Sequence, residues 1–393
     1  MKKLLIADKL PEKFIEEFKG LGLDVSFEPG LGENDLVEAA KDAEILVVRS
    51  TKVNAETINN SEKLSLIIRA GAGYNNINLD AANKKGVYVA NCPGKNAIAV
   101  AELAIGLLIA LDRKIPDNVI DFRNGKWNKA TYSKAEGLFG KSIAVIGMGN
   151  IGREVAKRAK ALGMTVYGKT HRRKVEDVDF IEISDLKEVL PKVDAVSLHL
   201  PQTEETKNLF NKEMFSLMKD GAIFINTARA GVVDEEALIE AVQTKGIKAG
   251  LDVFSEEPEY KKGDVNSKFR DIDGVYVTHH IGASTQQAQD AVAAEVVRIV
   301  KGYVESGKVD NWVNRGKDSS DKVKIVVKHF DKPGVLASVL ADIRDENVNV
   351  EEVENIIFDG GFVASCTMAL ERMVSDATLN KIKNNPDVIT VIV

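Results

Sequence analysis

The chain is 393 residues long, enough for two or three domains, and 44% of it is hydrophobic, an ordinary share for a protein with several buried cores. Its net charge of −6 argues against a basic face for nucleic acid. Two cysteines, Cys92 and Cys366, exclude a disulfide framework and point to a reducing compartment, the cytoplasm.

The start, M-K-K-L-L-I-A, is charged, but its apolar run stops at Asp8, too soon for a secretory signal, and predicts a first strand instead. Over residues 1–92, strand patterns at 4–7, 25–27, 45–48, 66–68 and 87–89 alternate with helical patterns at 11–19, 34–40 and 54–61. That alternation predicts a parallel sheet with helices on both faces. The longest apolar run, 97–111, is broken by Glu102 and falls short of the ~20 residues a membrane span needs. It predicts a helix capped by Asn96, apolar nearly all round, that forms either domain core or a subunit contact.

Residues 141–153 read K-S-I-A-V-I-G-M-G-N-I-G-R. A β-branched run at 143–146 predicts a buried strand, and 153–162 has helical spacing. Between them Gly147, Gly149 and Gly152 fit the dinucleotide-binding glycine turn. The first glycine allows the tight turn, the second lets backbone approach a pyrophosphate, and the third lets helix pack on sheet. Further strands are expected at 165–167, 195–198, 222–225, 249–253 and 275–278, giving a second parallel α/β unit. Ligands then belong in the cleft between the two units, at the carboxyl ends of the strands. An amphipathic helix at 286–304 crosses back to complete the first unit.

Residues 314–322 are polar and aperiodic and predict a linker. After it come strand 323–328, helix 334–346, strand 348–358, strand 361–370, helix 376–383 and strand 388–393. This is the ferredoxin-like order, with Asp359-Gly360-Gly361 as its hairpin turn. No zinc-type spacing of cysteine and histidine appears, so no metal is expected.

Three groups follow strands of the second unit: Arg229 in N-T-A-R, Glu257 in L-D-V-F-S-E-E-P, and His280 in H-I-G-A-S-T. Oxidising a hydroxyl by hydride transfer needs a base for the hydroxyl proton, a cation for the neighbouring carboxylate and a nearby nicotinamide. Imidazole suits the proton step, a carboxylate beside it fixes the ring, and arginine offers a planar fork to an α-hydroxy carboxylate. Read singly, each of the three is more often a structural or solvated side chain; only their shared position makes them a set.

Motifs spread over nearly the whole chain carry a resemblance to the D-2-hydroxyacid dehydrogenase family. They are V-V-R-S-T-K at 47–52, R-A-G-A-G-Y-N-N-I at 69–77, A-V-A-E-L at 99–103, G-M-G-N-I-G-R at 147–153, H-L-P-Q-T at 199–203, N-T-A-R at 226–229, L-D-V-F-S-E-E-P at 251–258 and H-I-G-A-S-T at 280–285. The resemblance implies two doubly wound parallel-sheet domains: a flavodoxin-like substrate domain at 1–95 and 285–313, and a Rossmann NAD(P)-binding domain at 96–284. It makes Arg229 the substrate-orienting arginine, Glu257 the acid paired with histidine, and His280 the proton donor and acceptor. It places Ala72, Asn150, Ile151, Leu200, Pro201, Thr227, Ala228, Asp252, Gly282 and Ala283 on the cofactor, with Asp252 receiving the nicotinamide carboxamide. Substrate contacts are implied for Gly71 and Asn96.

The aspartate or glutamate that usually holds the NAD ribose is replaced by Thr170, within G-K-T-H-R-R. NAD remains the expected cofactor, with NADP possible because Lys169, His171, Arg172 and Arg173 surround that position. His280 keeps its distance from G-A-S-T, so His279 is read as structural. Arg49, Lys52 and Arg69 follow strands of the first unit and suit a phosphorylated acid. The expected reaction is oxidation of D-3-phosphoglycerate to 3-phosphohydroxypyruvate, the opening step of serine synthesis. Alternatives are another D-2-hydroxy acid (glycerate, lactate, 2-hydroxyglutarate) or a non-catalytic NAD-sensing protein.

The tail, 323–393, resembles an ACT regulatory domain, a pairing module that binds amino acids. That likeness offers His329, Asp331 and Asn349 as ligands of an L-serine effector, with Asp331 standing where an asparagine is usual. The apolar helix and the pairing tail together imply a homodimer or homotetramer.

Overall fold

The computed structural model describes residues 1–170, 175–258, 263–316 and 323–393. They form two compact units, Met1–Asn314 and Arg315–Val393.

The first unit contains two parallel sheets. Short apolar runs make β1 (Lys3–Ile6), β2 (Asp24–Phe27), β3 (Ile45–Val48), β4 (Leu66–Arg69) and β5 (Tyr88–Asn91), in the order β2-β1-β3-β4-β5. Helices α1 (Glu12–Gly20), α2 (Glu33–Ala39), α3 (Ala55–Asn60) and α4 (Leu79–Lys85) connect them. All four residues of β3 are buried, because helices cover both faces of the sheet. Helices α3 and α4 start where the sequence offers side-chain caps: Asn54 accepts from Thr57 N at 2.8 Å and Asn78 from Ala81 N at 3.0 Å.

The chain then crosses to the second sheet through α5 (Ala97–Arg113), α6 (Ile115–Arg123) and α7 (Lys129–Tyr132). The sheet contains β6 (Ser142–Ile146), β7 (Thr165–Lys169), β8 (Ile181–Glu182), β9 (Ala195–Leu198), β10 (Ile223–Asn226), β11 (Lys248–Leu251) and β12 (Val275–Val277). Its order, β12-β11-β10-β9-β6-β7-β8, reverses between β6 and β9, the switch point beside which dinucleotides sit. The connecting helices are α8 (Asn150–Ala161), α9 (Leu186–Val189), α10 (Lys212–Leu217) and α11 (Glu235–Lys245). After β12 the chain crosses back in α12 (Gln286–Ser306), whose Val292, Ala293, Val296, Ile299 and Val300 complete the core of the first sheet. The two sheets are thus joined by two crossings, at 92–96 and 283–285.

The second unit contains β13 (Val323–Phe330), α13 (Val335–Asp345), β14 (Val350–Ile357), β15 (Val363–Leu370), α14 (Asp376–Lys383) and β16 (Val388–Ile392). Its antiparallel order β14-β15-β13-β16 is the ferredoxin-like one. Val327, Val339, Ile343, Cys366, Met368 and Ile382 fill the space between sheet and helices. Both cysteines are buried and unpaired.

Two expectations change. Asn96 stands at the start of α5 but makes no side-chain cap bond, because its side chain is turned elsewhere and its Oδ1 is buried without a protein partner. Helix α5 contributes to the domain core as expected: Ala101, Ala104, Leu107, Leu108 and Leu111 pack under the second sheet, while Ile98 is exposed. The linker begins later than residue 314, since Asn314 accepts from Val89 N at 2.8 Å and donates to Val87 O at 3.0 Å. The rest of the expected linker, 317–322, lies outside the described residues. Among the described residues no helix is long and apolar enough to cross a membrane.

Candidate active site

The glycine turn has the shape its sequence requires. Gly147 has φ +101°, and a Cβ there would lie 2.5 Å from His199 O. A Cβ on Gly152 would lie 2.1 Å from Gly147 O, so the helix closes onto the turn only because this residue is glycine. Nothing lies within 4 Å of the Cβ position at Gly149, which opens the N-terminus of α8 to a phosphate. Gly147 N and Met148 N both donate to Lys169 O, at 3.1 and 3.0 Å, so the end of β7 is tied to the turn. Asn150 and Ile151 form the first turn of α8. Leu200 and Pro201 follow β9, with Leu200 Cδ2 near the Cβ position of Gly147.

Thr170 follows β7, where a ribose-binding acid was sought. Lys169 donates its ammonium to Ser184 O at 2.8 Å. His171, Arg172 and Arg173 lie outside the described residues.

At the end of β10, Asn226 folds the chain back. Its Nδ2 donates to Arg229 O at 3.0 Å and its Oδ1 accepts from Ala228 N at 3.0 Å. Thr227 and Ala228 are buried, and Thr227 Oγ1 has no partner among the described residues. Arg229 reaches across to the first sheet: a Cβ on Gly73 would lie 2.6 Å from its Nη2. Its Nη1 donates to Ala228 O at 2.6 Å.

His280 and Glu257 meet as expected, with Nδ1 2.6 Å from Glu257 Oε2. That hydrogen bond raises the imidazole above its ordinary pKa of 6.5, against burial, and Arg229 nearby opposes the rise. His280 has φ +51°, in the left-handed region that few side chains other than Asn, Asp and His enter readily. Asp252 holds the strained turn. Buried at 2% exposure, it accepts from Thr278 Oγ1 at 2.5 Å, Ile281 N at 2.9 Å and Gly282 N at 2.8 Å. Both its oxygens therefore serve the His280 turn first, and a carboxamide would have only their remaining lone pairs. Ala283 follows in the same turn, and His279 is exposed.

The first sheet faces this set with cations. Arg69 folds over Gly71, and its Nε is buried without a protein partner among the described residues. Burial, with Arg229 and Arg49 nearby, lowers its pKa, so three guanidiniums share one region. Lys52 is exposed and lines a depression with Glu33, Asn54, Asn76 and Asp80. Ala72 O accepts from Asn91 Nδ2 at 2.6 Å, which fixes the 71–73 turn.

Asp8, at the end of β1, is a functional neighbour that sequence reading missed. Its Oδ2 accepts from Arg49 N, Ser50 N and Thr51 N at 2.7, 3.0 and 3.0 Å and so shapes the loop carrying Arg49. Its place straight after an apolar strand was the available signal. Among the described residues no cluster of His, Cys, Asp or Glu forms a metal site.

In the second unit the sequence-derived ligands separate. His329 is 2% exposed, and its Nδ1 and Nε2 lie 2.7 Å from Phe330 O and 3.3 Å from Asn355 Oδ1. Both ring nitrogens therefore have partners within the unit. Asp331 is exposed beyond β13. Asn349 lines a depression of about 420 Å³ with Leu340, Arg344, Val348 and Val350.

The comparisons agree with this site. The family model for the D-isomer specific 2-hydroxyacid dehydrogenase NAD-binding domain matches residues 105–282. A D-3-phosphoglycerate dehydrogenase of Methanocaldococcus jannaschii is 35% identical over 97% of this chain and 72% of its own length. A hydroxypyruvate reductase of Thermotoga maritima is 43% identical over 68% of this chain and 87% of its own length. A 3-phosphoglycerate dehydrogenase of Entamoeba histolytica, solved with NAD+ bound, superposes with a TM-score of 0.66 at 28% identity, over 80% of this chain and 99% of that one. The chain belongs to the D-isomer-specific 2-hydroxyacid dehydrogenase family and is an NAD-dependent oxidoreductase.

Proposed function

We propose that this dehydrogenase oxidises D-3-phosphoglycerate to 3-phosphohydroxypyruvate in the cytoplasm, as the first step of serine synthesis. The observation that carries the reading is the chain of guanidiniums in which Arg69 lies near both Arg49 and Arg229, and Arg229 lies near His280. Such a set suits a substrate with two anionic ends better than glycerate or lactate. The D-3-phosphoglycerate dehydrogenases among the relatives point the same way.

The glycine turn, its open Gly149 and the unpartnered Thr227 Oγ1 fit a bound nicotinamide dinucleotide. When bound, the nicotinamide accepts the hydride. Arg229 holds the substrate carboxylate by its planar fork. His280 takes the hydroxyl proton, and Glu257, bonded to the opposite ring nitrogen, fixes the tautomer and stabilises the imidazolium that forms. Arg69 and Arg49 take the phosphate end. Residues 1–95 and 285–313 are then the substrate domain and 96–284 the cofactor domain.

One experiment tests substrate and phosphate role together. Turnover with NAD is measured on D-3-phosphoglycerate and D-glycerate, for the native chain and Arg49→Ala. The expected result is a KM for phosphoglycerate raised about ten-fold or more, with glycerate nearly unchanged. Equal effects on both substrates, or better native turnover of glycerate, overturn the assignment.

The second unit reads as an ACT-type sensor for an L-serine effector; of the expected ligands His329, Asp331 and Asn349, Asn349 lines a depression beside α13. The exposed apolar residues Ile115, Val119, Ile120, Phe122 and Trp127 support self-association as a homodimer or homotetramer.

A further inference from the structure

The turn that presents Glu257 is anchored by a second carboxylate, which no motif or family resemblance assigns. Glu235 is the first residue of α11, directly after Asp234, which caps that helix by accepting from Ala237 N at 3.1 Å. An acid is favoured there by the helix dipole, but an acid that served only the dipole would point to solvent. Glu235 is instead 9% exposed. Its Oε1 accepts from Ser255 N at 2.6 Å, its Oε2 from Ser255 Oγ at 2.5 Å, and Lys268 Nζ lies 3.1 Å from Oε2.

Ser255 lies between two groups that matter to the reaction. The preceding residue, Phe254, donates its N–H to Glu257 Oε1 at 3.1 Å. The other oxygen of Glu257 holds His280 Nδ1 at 2.6 Å. The acid that orients the imidazole is therefore itself held by the Phe254 N–H, in a turn whose next residue is clamped by Glu235. These bonds join the helix following Arg229 to the loop following β11 and, through it, to the turn following β12.

We propose that Glu235 is a positioning residue for the acid–base pair: by clamping Ser255 it fixes the turn from which Glu257 orients His280. The inference rests on Glu257 and His280 being that pair, but not on which 2-hydroxy acid is oxidised. With the clamp gone, the Phe254 N–H no longer holds Glu257 Oε1 at a fixed angle, and the carboxylate swings. A swinging carboxylate supports the protonated imidazole less, so the apparent pKa of the base falls. Substrate and cofactor still bind, because Arg229 and the glycine turn are untouched.

The test is the pH dependence of kcat and KM for hydroxy-acid oxidation in Glu235→Ala, Ser255→Ala, Glu257→Gln and Lys268→Met. Ser255 is exposed, so its variant folds whether or not Glu235→Ala does. Glu257→Gln sets the benchmark by moving the acid limb of the kcat/KM profile to lower pH. Glu235→Ala is expected to lower kcat roughly ten- to hundred-fold with KM values held, and to move the same limb the same way. Ser255→Ala is expected to do so to a smaller extent. Glu235→Gln, which keeps an acceptor for Ser255 N, is expected to recover most of kcat. Lys268→Met removes the cation without touching the turn and is expected to leave the limb in place. If Glu257→Gln moves the limb and neither Glu235→Ala nor Ser255→Ala does, the clamp proposal fails alone. If Glu257→Gln also leaves it in place, the acid–base reading fails with it.

Discussion

At the scale of single residues, the site depends on carboxylates that differ in what they hold. Glu257 meets the reacting imidazole, Asp252 ties the strained turn at His280, and Asp8 shapes the loop of Arg49. The reacting groups were legible in sequence because each follows an apolar strand, and strand ends of a parallel sheet converge on a cleft. Asp8 and Glu235 were not, because their partners lie far along the chain and a lone acid reads as surface. The cofactor preference also belongs to this scale. Thr170 stands at the end of β7 without an acid, so Thr170→Asp adds a partner for the ribose hydroxyls of NAD and repels the 2′-phosphate of NADP. The ratio of kcat/KM for NAD over NADP is expected to rise about ten-fold or more, read from steady-state kinetics with each cofactor.

Among the elements, α12 has the most to hold. It begins just after the His280 turn and ends in the core of the first sheet. Glu295, 6% exposed on this helix, lies 3.2 Å from Lys95 Nζ and 2.7 Å from Arg298 Nη2, and accepts from Asn311 Nδ2 at 2.8 Å. Arg298 also pairs with Asp310. The hydrogen bond from Arg298, with those from Lys95 and Asn311, pulls the Glu295 carboxyl down to about 2 from its ordinary 4.5. A carboxyl depressed in the folded state stabilises fully above its unfolded pKa, and that contribution fades as pH falls from about 4.5 toward 2. Glu295→Ala is expected to cost about 3–5 kcal/mol at pH 7 and much less near pH 3, measured by denaturant unfolding at both. Strands were legible to within one or two residues, since β-branched runs mark them. Helix α6 was missed because it buries none of its residues, so no core-facing period marks it. The two-residue β8 was missed because it is shorter than any pattern.

Over the whole molecule, the order of elements dictated the architecture: alternation gave two doubly wound sheets, and a β-α-β-β-α-β tail gave the ferredoxin-like unit. The first unit contains every group of the proposed reaction and its own cores. A chain ending at Asn314 is therefore expected to keep its specific activity within about two-fold and to lose any response to L-serine. Activity assays of both chains with and without serine check it; inhibition that survives truncation removes the second unit from regulation.

The paired crossings at 92–96 and 283–285 carry a mechanical consequence. Two tethers would confine any relative motion of the two sheets to a swing about one line. One end of that line lies only a few residues from His280, where displacement per degree of swing is smallest. Any such swing would part the two sheets most at the rim and displace the imidazole near the pivot least.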